Sequence, residues 1–408
     1  MYDKNLLKNY ARLVYKVGVN LQNGQGLEIA CPVELYKIAE IFTETAYESG
    51  AGIVNVRWID QKTDKLKYLH ADFDLLQKIP KWQVSSKEYL LDNDFCYVAI
   101  DADDPNAFSS VPSQRLGAYV KAKSKAFKKF SDGVMANAIR WCVVSVPSKN
   151  WAKLVFPKEK NPEKRLFSEI VKTMRLDTPD PVAEWEKHVQ TLEKRATYLN
   201  DKRFYALRFK SGNGTDLTVG LCDDHVWLSA REKARDGVYF VANMPTEEVF
   251  TAPHNKRING VVKSALPLCY NGNKIEDFTL TFKDGKIIDF TAEKGYSTLK
   301  ELIATDDGTL SLGEVALIGK NSPIAKSGIL FYNTLFDENA SCHLAIGKSY
   351  PTNVRNGENL TDGQLEQKGA NDSHEHVDFM IGTKDLSVTG IACDGQETVI
   401  FSDGEWAI

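Results

Sequence analysis

Residues 26–59, GLEIACPVELYKIAEIFTETAYESGAGIVNVRWI, decide the fold class of this chain. GLEIA (26–30) and IVNVRWI (53–59) are short runs rich in β-branched or large apolar residues, each of strand length. Between them Pro32 opens a segment in which Leu35, Ile38, Ala39, Phe42 and Ala46 fall at helical spacing, and Gly50 closes it. This is a β-α-β unit. Downstream, FCYVAI (95–100) ends in the acidic loop DADDP, and IRWCVVSVP (139–147) follows a Lys-rich helical segment. Near-continuous apolar runs of this kind suit parallel strands covered on both faces, so the front of the chain is predicted to be an α/β domain with an open, mostly parallel sheet. A helical extension follows, EKRLFSEIVKTMRL (163–176) and VAEWEKHVQTLEKRATYLN (182–200), with Trp185, Val189 and Leu192 on one stripe.

From about residue 203 the pattern changes. RFYALRF and DLTVGL flank a Ser-Gly-Asn-Gly turn, and FTLTFKDGKIIDF (278–290) alternates on either side of Asp284-Gly285, a strong hairpin signal. The back half reads as an α+β, antiparallel-β-rich domain. A chain of 408 residues suits two domains; they are placed at 1–200 and 201–408. EVALIGKNS (314–322) and HLAIGKSY (343–350) share an apolar run ending in Ile-Gly-Lys, which predicts two similar strands, each headed by a residue able to bind a cation.

Composition excludes several classes. At 43% hydrophobic and 26% charged the chain is neither disordered nor fibrous. Its seven cysteines contain no C-x-x-C pair, which argues against a disulfide framework or a zinc knuckle and for a reducing compartment. No apolar run approaches membrane-spanning length, and MYDKNLLKNYARLVYKVG reads as a polar amphipathic helix without a signal-peptide core, so a cytoplasmic protein with no membrane partner is expected. The net charge of −4 conceals a division: residues 115–175 carry 15 Lys and Arg against 4 Asp and Glu, and residues 276–408 carry 10 against 22. Cations spaced as in KAKSKAFKKF read as the wet side of helices or a subunit contact; a surface for substrate or nucleic acid is the alternative.

Dinucleotide-binding, P-loop and nucleophile-elbow motifs are missing from the sequence. The acidic back half offers metal chemistry instead. In HEHVDFMIG, residues His374, His376 and Asp378 are spaced by two, so on a strand all three would leave one face. Glu314 heads an apolar strand, where an unpaired carboxylate is costly and a bound cation would offset the cost. Glu247 and Glu248 follow a Pro in an apolar setting and would point apart in an extended segment, so at most one is a ligand. His343 sits between Cys342 and LAIG in a buried-looking run, where a lone histidine is more often a satisfied core residue than a ligand.

Taken in order, NMPTEEVFTAPHNKRINGVV (243–262), GEVALIG (313–319), FYNTLFDENASCHLAIGKSY (331–350) and HVDFMIGT (376–383) closely resemble the thermophilic-type metallo-aminopeptidases, peptidase family M29. Length and the front α/β domain match as well. The resemblance implies two divalent metals held by Glu248, Glu314, His343, His376 and Asp378, with Tyr350 in the site. It does not carry Glu247 or His374 over as ligands. Three carboxylates and two imidazoles without a thiol favour zinc, cobalt or manganese and tolerate magnesium. Two dications, three carboxylates and a hydroxide sum to zero charge, which favours a metal-bound hydroxide as nucleophile, while the second ion can anchor the substrate's α-amine. Glu314 or Glu247 could move the proton, and Tyr350 could donate to the tetrahedral oxyanion.

The expected activity is removal of amino-terminal residues from short peptides. Alternatives are a two-metal hydrolase of another bond, such as a phosphoester, for which Arg257 is the only Arg in the 243–262 block, and a non-catalytic metal- or peptide-binding protein. A homodimer with no nucleic-acid partner is expected.

Overall fold

β1 (Gly26–Pro32) is buried along almost its whole length because it is hydrogen-bonded on both sides, to β2 (Ile53–Ile59) and to β3 (Cys96–Asp101). Both pairings are parallel, and β4 (Trp141–Ser145) adds to β3 in the same sense, giving the order β2-β1-β3-β4. Leu27, Ile29, Val98, Ile100 and Val144 form the sheet's core. The parallel sheet is thus as the apolar runs predict, with one difference: β2 lies at the edge, so its exposure alternates and Trp58 remains 48% exposed. The intervening helix, Tyr36–Glu48, buries Ile38, Ala39, Phe42 and Ala46; Leu35 belongs to a preceding single turn. The Lys-rich segment forms the helices Ser113–Ala126 and Lys128–Met135, neither with a buried residue, as a solvated face requires. Trp185, Val189 and Leu192 on the helix Pro181–Lys202 are fully buried.

The computed structural model describes residues 2–270 and 273–408. They fall into two units, Met1–His188 with Arg231–Pro245, and Val189–Ala230 with Thr246–Ile408. Where the sequence reading puts one boundary at 200/201, the chain passes between the units at 188/189, 230/231 and 245/246.

In the second unit β5 (Ala206–Lys210) and β6 (Asp216–Leu221) pair antiparallel. Two short hairpins join β7 (Arg231–Lys233) to β8 (Tyr239–Val241), in the first unit, and β11 (Leu268–Tyr270) to β12 (Asn273–Ile275), in the second. β9 (Val249–Thr251) and β10 (Pro253–Lys263) follow the Glu247-Glu248 segment. β13 (Thr279–Lys283) and β14 (Lys286–Thr291) meet at Asp284-Gly285, whose φ values of 50° and 84° give the left-handed turn that matches strand twist. With β18 (Ser387–Ile391), β19 (Glu397–Ser402) and β20 (Glu405–Trp406) they build an eight-stranded sheet in the order β14-β13-β10-β6-β5-β18-β19-β20. A second sheet, β17-β16-β15-β9, contains β15 (Leu312–Leu317), β16 (His343–Gly347) and β17 (His376–Met380). The two look-alike segments are therefore neighbouring antiparallel strands. All seven cysteines are free. Among the described residues no helix is long and apolar enough to cross a membrane.

Candidate metal centre

The register of the four-stranded sheet determines which side chains can meet. Ala345 on β16 pairs with Glu314 on β15 and with Asp378 on β17, and paired residues of an antiparallel ladder share a face. His343 lies two residues before Ala345, and His376 pairs with Gly347 two residues after it, so both join the same face. β9 extends the pattern: Val249 pairs with Leu317, which puts Glu248 one position on, level with the Glu314 face. The opposite face carries Val315, Leu317, Leu344, Ile346 and Phe379, all buried. One face of the sheet is core and the other collects five ionisable groups over the small side chain of Ala345.

Their distances describe two groups sharing one residue. Glu248, Glu314 and His343 bring ligand atoms within 4.8 Å of one another, as do Glu314, His376 and Asp378. Glu314 turns Oε1 to His343 Nε2 at 3.3 Å and Oε2 to His376 Nε2 at 3.6 Å. Glu248 Oε2 is 3.3 Å from His343 Nε2, and Asp378 Oδ1 is 3.3 Å from His376 Nε2. Each histidine is oriented from behind: His343 Nδ1 lies 3.3 Å from the Ser341 carbonyl and His376 Nδ1 2.7 Å from that of Lys348. A carbonyl can only accept, so Nδ1 carries the proton and Nε2 presents a lone pair to the carboxylates when the ring is neutral.

This arrangement fits cations. Glu314 and His343 are 4% and 1% exposed, so three carboxylates converge where water cannot screen them. Burial pushes the Glu314 carboxyl up, and the neighbouring Asp378 and Glu248 reinforce the rise. Burial works against charge on His376, but the Asp378 carboxylate beside it prevails and raises it to about 10. Without metal, then, imidazolium charge on His376 partly offsets the carboxylates. Asp378 Oδ1 is buried with the His376 and His343 ring nitrogens at 3.3 and 4.0 Å but no well-directed hydrogen bond, an atom a cation would satisfy. Nitrogen and oxygen donors with no sulfur suit zinc, cobalt, manganese or magnesium.

Tyr350 lies beside this face, its ring centroid 4.7 Å from that of His376 and 6.2 Å from that of Phe250. Burial first, then the carboxylates of Glu314, Asp378, Glu338 and Glu248, hold its phenol protonated far above the ordinary range. Glu247 is buried next to Glu248 but belongs to neither donor group; its amide donates to Asn339 Oδ1 at 2.8 Å. His374 corrects one expectation. β17 begins at His376, and His374 stands before it, exposed, its amide held by Asp306 at 2.7 Å, so it does not share the face with His376 and Asp378.

One residue escaped the sequence reading. Glu338, in the single turn Glu338–Ala340 before β16, has its carboxyl pushed well up by burial and by Asp378, Glu248 and Glu314. Asn339 secures this turn, donating to the Leu335 carbonyl at 3.0 Å while accepting from Glu247. The available signal was Glu338 itself, five residues before His343 in FDENASCH.

Comparison with known proteins agrees with this chemistry. A family model described as thermophilic metalloprotease (M29) matches residues 3–406. Aminopeptidase 2 of Geobacillus stearothermophilus is 42% identical over 408 residues, covering 100% of this chain and 98% of its own. Aminopeptidase AmpS of Bacillus subtilis is 42% identical over 403 residues, 98% of each chain. The solved structure of wild-type AmpT from Thermus thermophilus superposes with a TM-score of 0.93 at 35% identity, covering 99% of this chain and all of that one.

Proposed function

This chain belongs to the thermophilic metalloprotease family M29 and is a metallo-aminopeptidase, and from that premise we propose that it removes amino-terminal residues from short peptides by a two-metal-activated hydroxide. The observation that carries the proposal is the pair of donor groups joined by the two oxygens of Glu314. In this reading Glu248, Glu314 and His343 hold one ion, and Glu314, His376 and Asp378 hold the other. Two ions there would polarise the scissile carbonyl, activate water for attack and anchor the free α-amine, which confines cleavage to the first residue.

The chain's own groups supply the rest. The Ser341 and Lys348 carbonyls keep each imidazole in the tautomer that presents Nε2. Tyr350 donates its hydroxyl proton to the oxyanion that develops on the substrate carbonyl. Glu338, which feels the charges of Asp378, Glu248 and Glu314 but belongs to neither donor group, would be ionised by two neighbouring dications and could then accept the proton released by water and return it to the leaving amine, a part the liganding Glu314 fills poorly. Arg257 does not favour the phosphoester alternative, because its guanidinium is committed to the Leu221 carbonyl, Asp223 and the face of Tyr205. We place the enzyme in the cytoplasm, a reading its free cysteines support, as a homodimer with neither nucleic acid nor membrane as a partner.

A substrate pair tests the assignment. The protein should hydrolyse a leucyl amide and release the first residue of a tripeptide, whereas the N-acetylated forms should be cleaved at least ~10²-fold more slowly, since they lack the amine that fixes register. Equal rates on free and acetylated substrates, or preference for a phosphoester, would overturn it.

A further inference from the structure

His376 and Asp378 begin a strand whose approach is held by a residue far away in sequence. Asp306 accepts hydrogen bonds from the Thr309 amide at 2.9 Å, from the Ser373 hydroxyl at 2.9 and 3.0 Å on its two oxygens, and from the His374 amide at 2.7 Å. Ser373 Oγ in turn accepts from the Glu375 amide at 3.1 Å. The Glu375 carbonyl accepts from the Lys348 amide at 2.7 Å, and the Lys348 carbonyl accepts from His376 Nδ1 at the same distance. Asn371 braces the crossing by donating to the Gly308 and Gly347 carbonyls at 2.8 and 2.6 Å. An unbroken series of hydrogen bonds therefore runs from the Asp306 carboxylate to the back of the His376 ring. No comparable link from Asp306 reaches Glu248 or His343 among the described hydrogen bonds.

We propose that Asp306 is a positioning residue for one half of the centre: by clamping residues 373–375 it sets the Lys348 carbonyl, and through it the direction of His376 Nε2 toward Glu314 and Asp378. The proposal rests on the two-ion reading above. Groups that orient a metal-liganding histidine from behind are worth about 10–100-fold in metal affinity. Asp306 acts three hydrogen bonds further back, yet it restrains the His374 amide directly, so an effect of about tenfold is expected on the Glu314–His376–Asp378 group alone.

The test uses the full-length protein stripped of metal and titrated with cobalt(II), followed by visible absorption and by elemental analysis. Wild type should take up two ions per chain. Asp306→Ala should bind the first as wild type does and the second about tenfold more weakly; its kcat should fall at limiting cobalt and recover in excess, with KM unchanged. Asp306→Asn, which keeps one acceptor oxygen, should lie between the two. A purely structural role predicts otherwise: both ions weakened together with a lower melting temperature, and no recovery in excess metal. That outcome, or two ions bound as in wild type, overturns the proposal. If Asp306→Ala does not fold, Ser373→Ala carries the same test, because it cuts the series at the Glu375 amide; unaltered binding of both ions in it is equally fatal. Failure of the underlying reading would appear separately, as wild-type protein that binds fewer than two ions.

Discussion

Glu314→Gln should abolish hydrolysis of an aminoacyl amide, by at least ~10³-fold, and should lower bound metal in both halves of the centre. Glu314 is the one residue common to the two donor groups, with one oxygen toward each histidine. Glutamine keeps the size but replaces one oxygen by an NH₂ group, which donates and cannot ligate, and it removes the negative charge that the two ions would share. Loss of a single oxyanion donor already costs roughly 10²–10³ in kcat, and here both ions lose a ligand. Glu248→Gln and His376→Ala each remove a donor from only one group, so they should also inactivate but leave one ion bound. Elemental analysis and circular dichroism on the same samples separate lost metal from lost fold. A Glu314→Gln protein with full metal and full activity would remove the basis of the assignment.

Tyr350→Phe should reduce kcat by about 10²–10³, equivalent to roughly 3–4 kcal/mol, with KM and metal content close to wild type. Phenylalanine retains the ring that packs 4.7 Å from His376 and against Phe250, so only the hydroxyl is deleted. An interaction made with the developing oxyanion and not with the ground-state carbonyl is lost from kcat and kcat/KM in equal measure. A rise in KM at constant kcat would instead assign Tyr350 to substrate binding. Unaltered kinetics would leave it a packing residue.

The candidate metal centre was legible in the sequence to the extent that strand periodicity governs it. Glu314, His343, His376 and Asp378 sit on strands whose period of two, combined with register, forces them to one face, and H-x-D at 376–378 displays that period directly. Glu248 required the motif order as well, because it precedes its strand by one residue and has an adjacent carboxylate of the same type. His374 was misplaced onto the strand because spacing alone cannot show where pairing begins; the Asp306 carboxylate takes its amide before the ladder starts. Glu338 went unread because it stands in a single turn of the 318–342 connection, where position follows from contacts such as Asn339 with Glu247 and no periodicity exists.

The same division holds for the fold. Both β-α-β crossover and Asp-Gly hairpin are local signals, and both are present as expected. That β2 would be an edge strand depends on the order β2-β1-β3-β4, a long-range property that its own seven residues do not encode. The return of residues 231–245 to the first unit depends likewise on pairings such as Val143 with Asn243, across a hundred residues of chain.

The most direct test of the account is a metal add-back titration in which bound metal and aminoacyl-amide hydrolysis are read on the same sample. Protein stripped by chelation should be inactive, and activity should return with added zinc, cobalt or manganese and level off at two ions per chain. Full activity in the stripped protein, or two tightly bound ions with no hydrolysis of any aminoacyl amide, would contradict it.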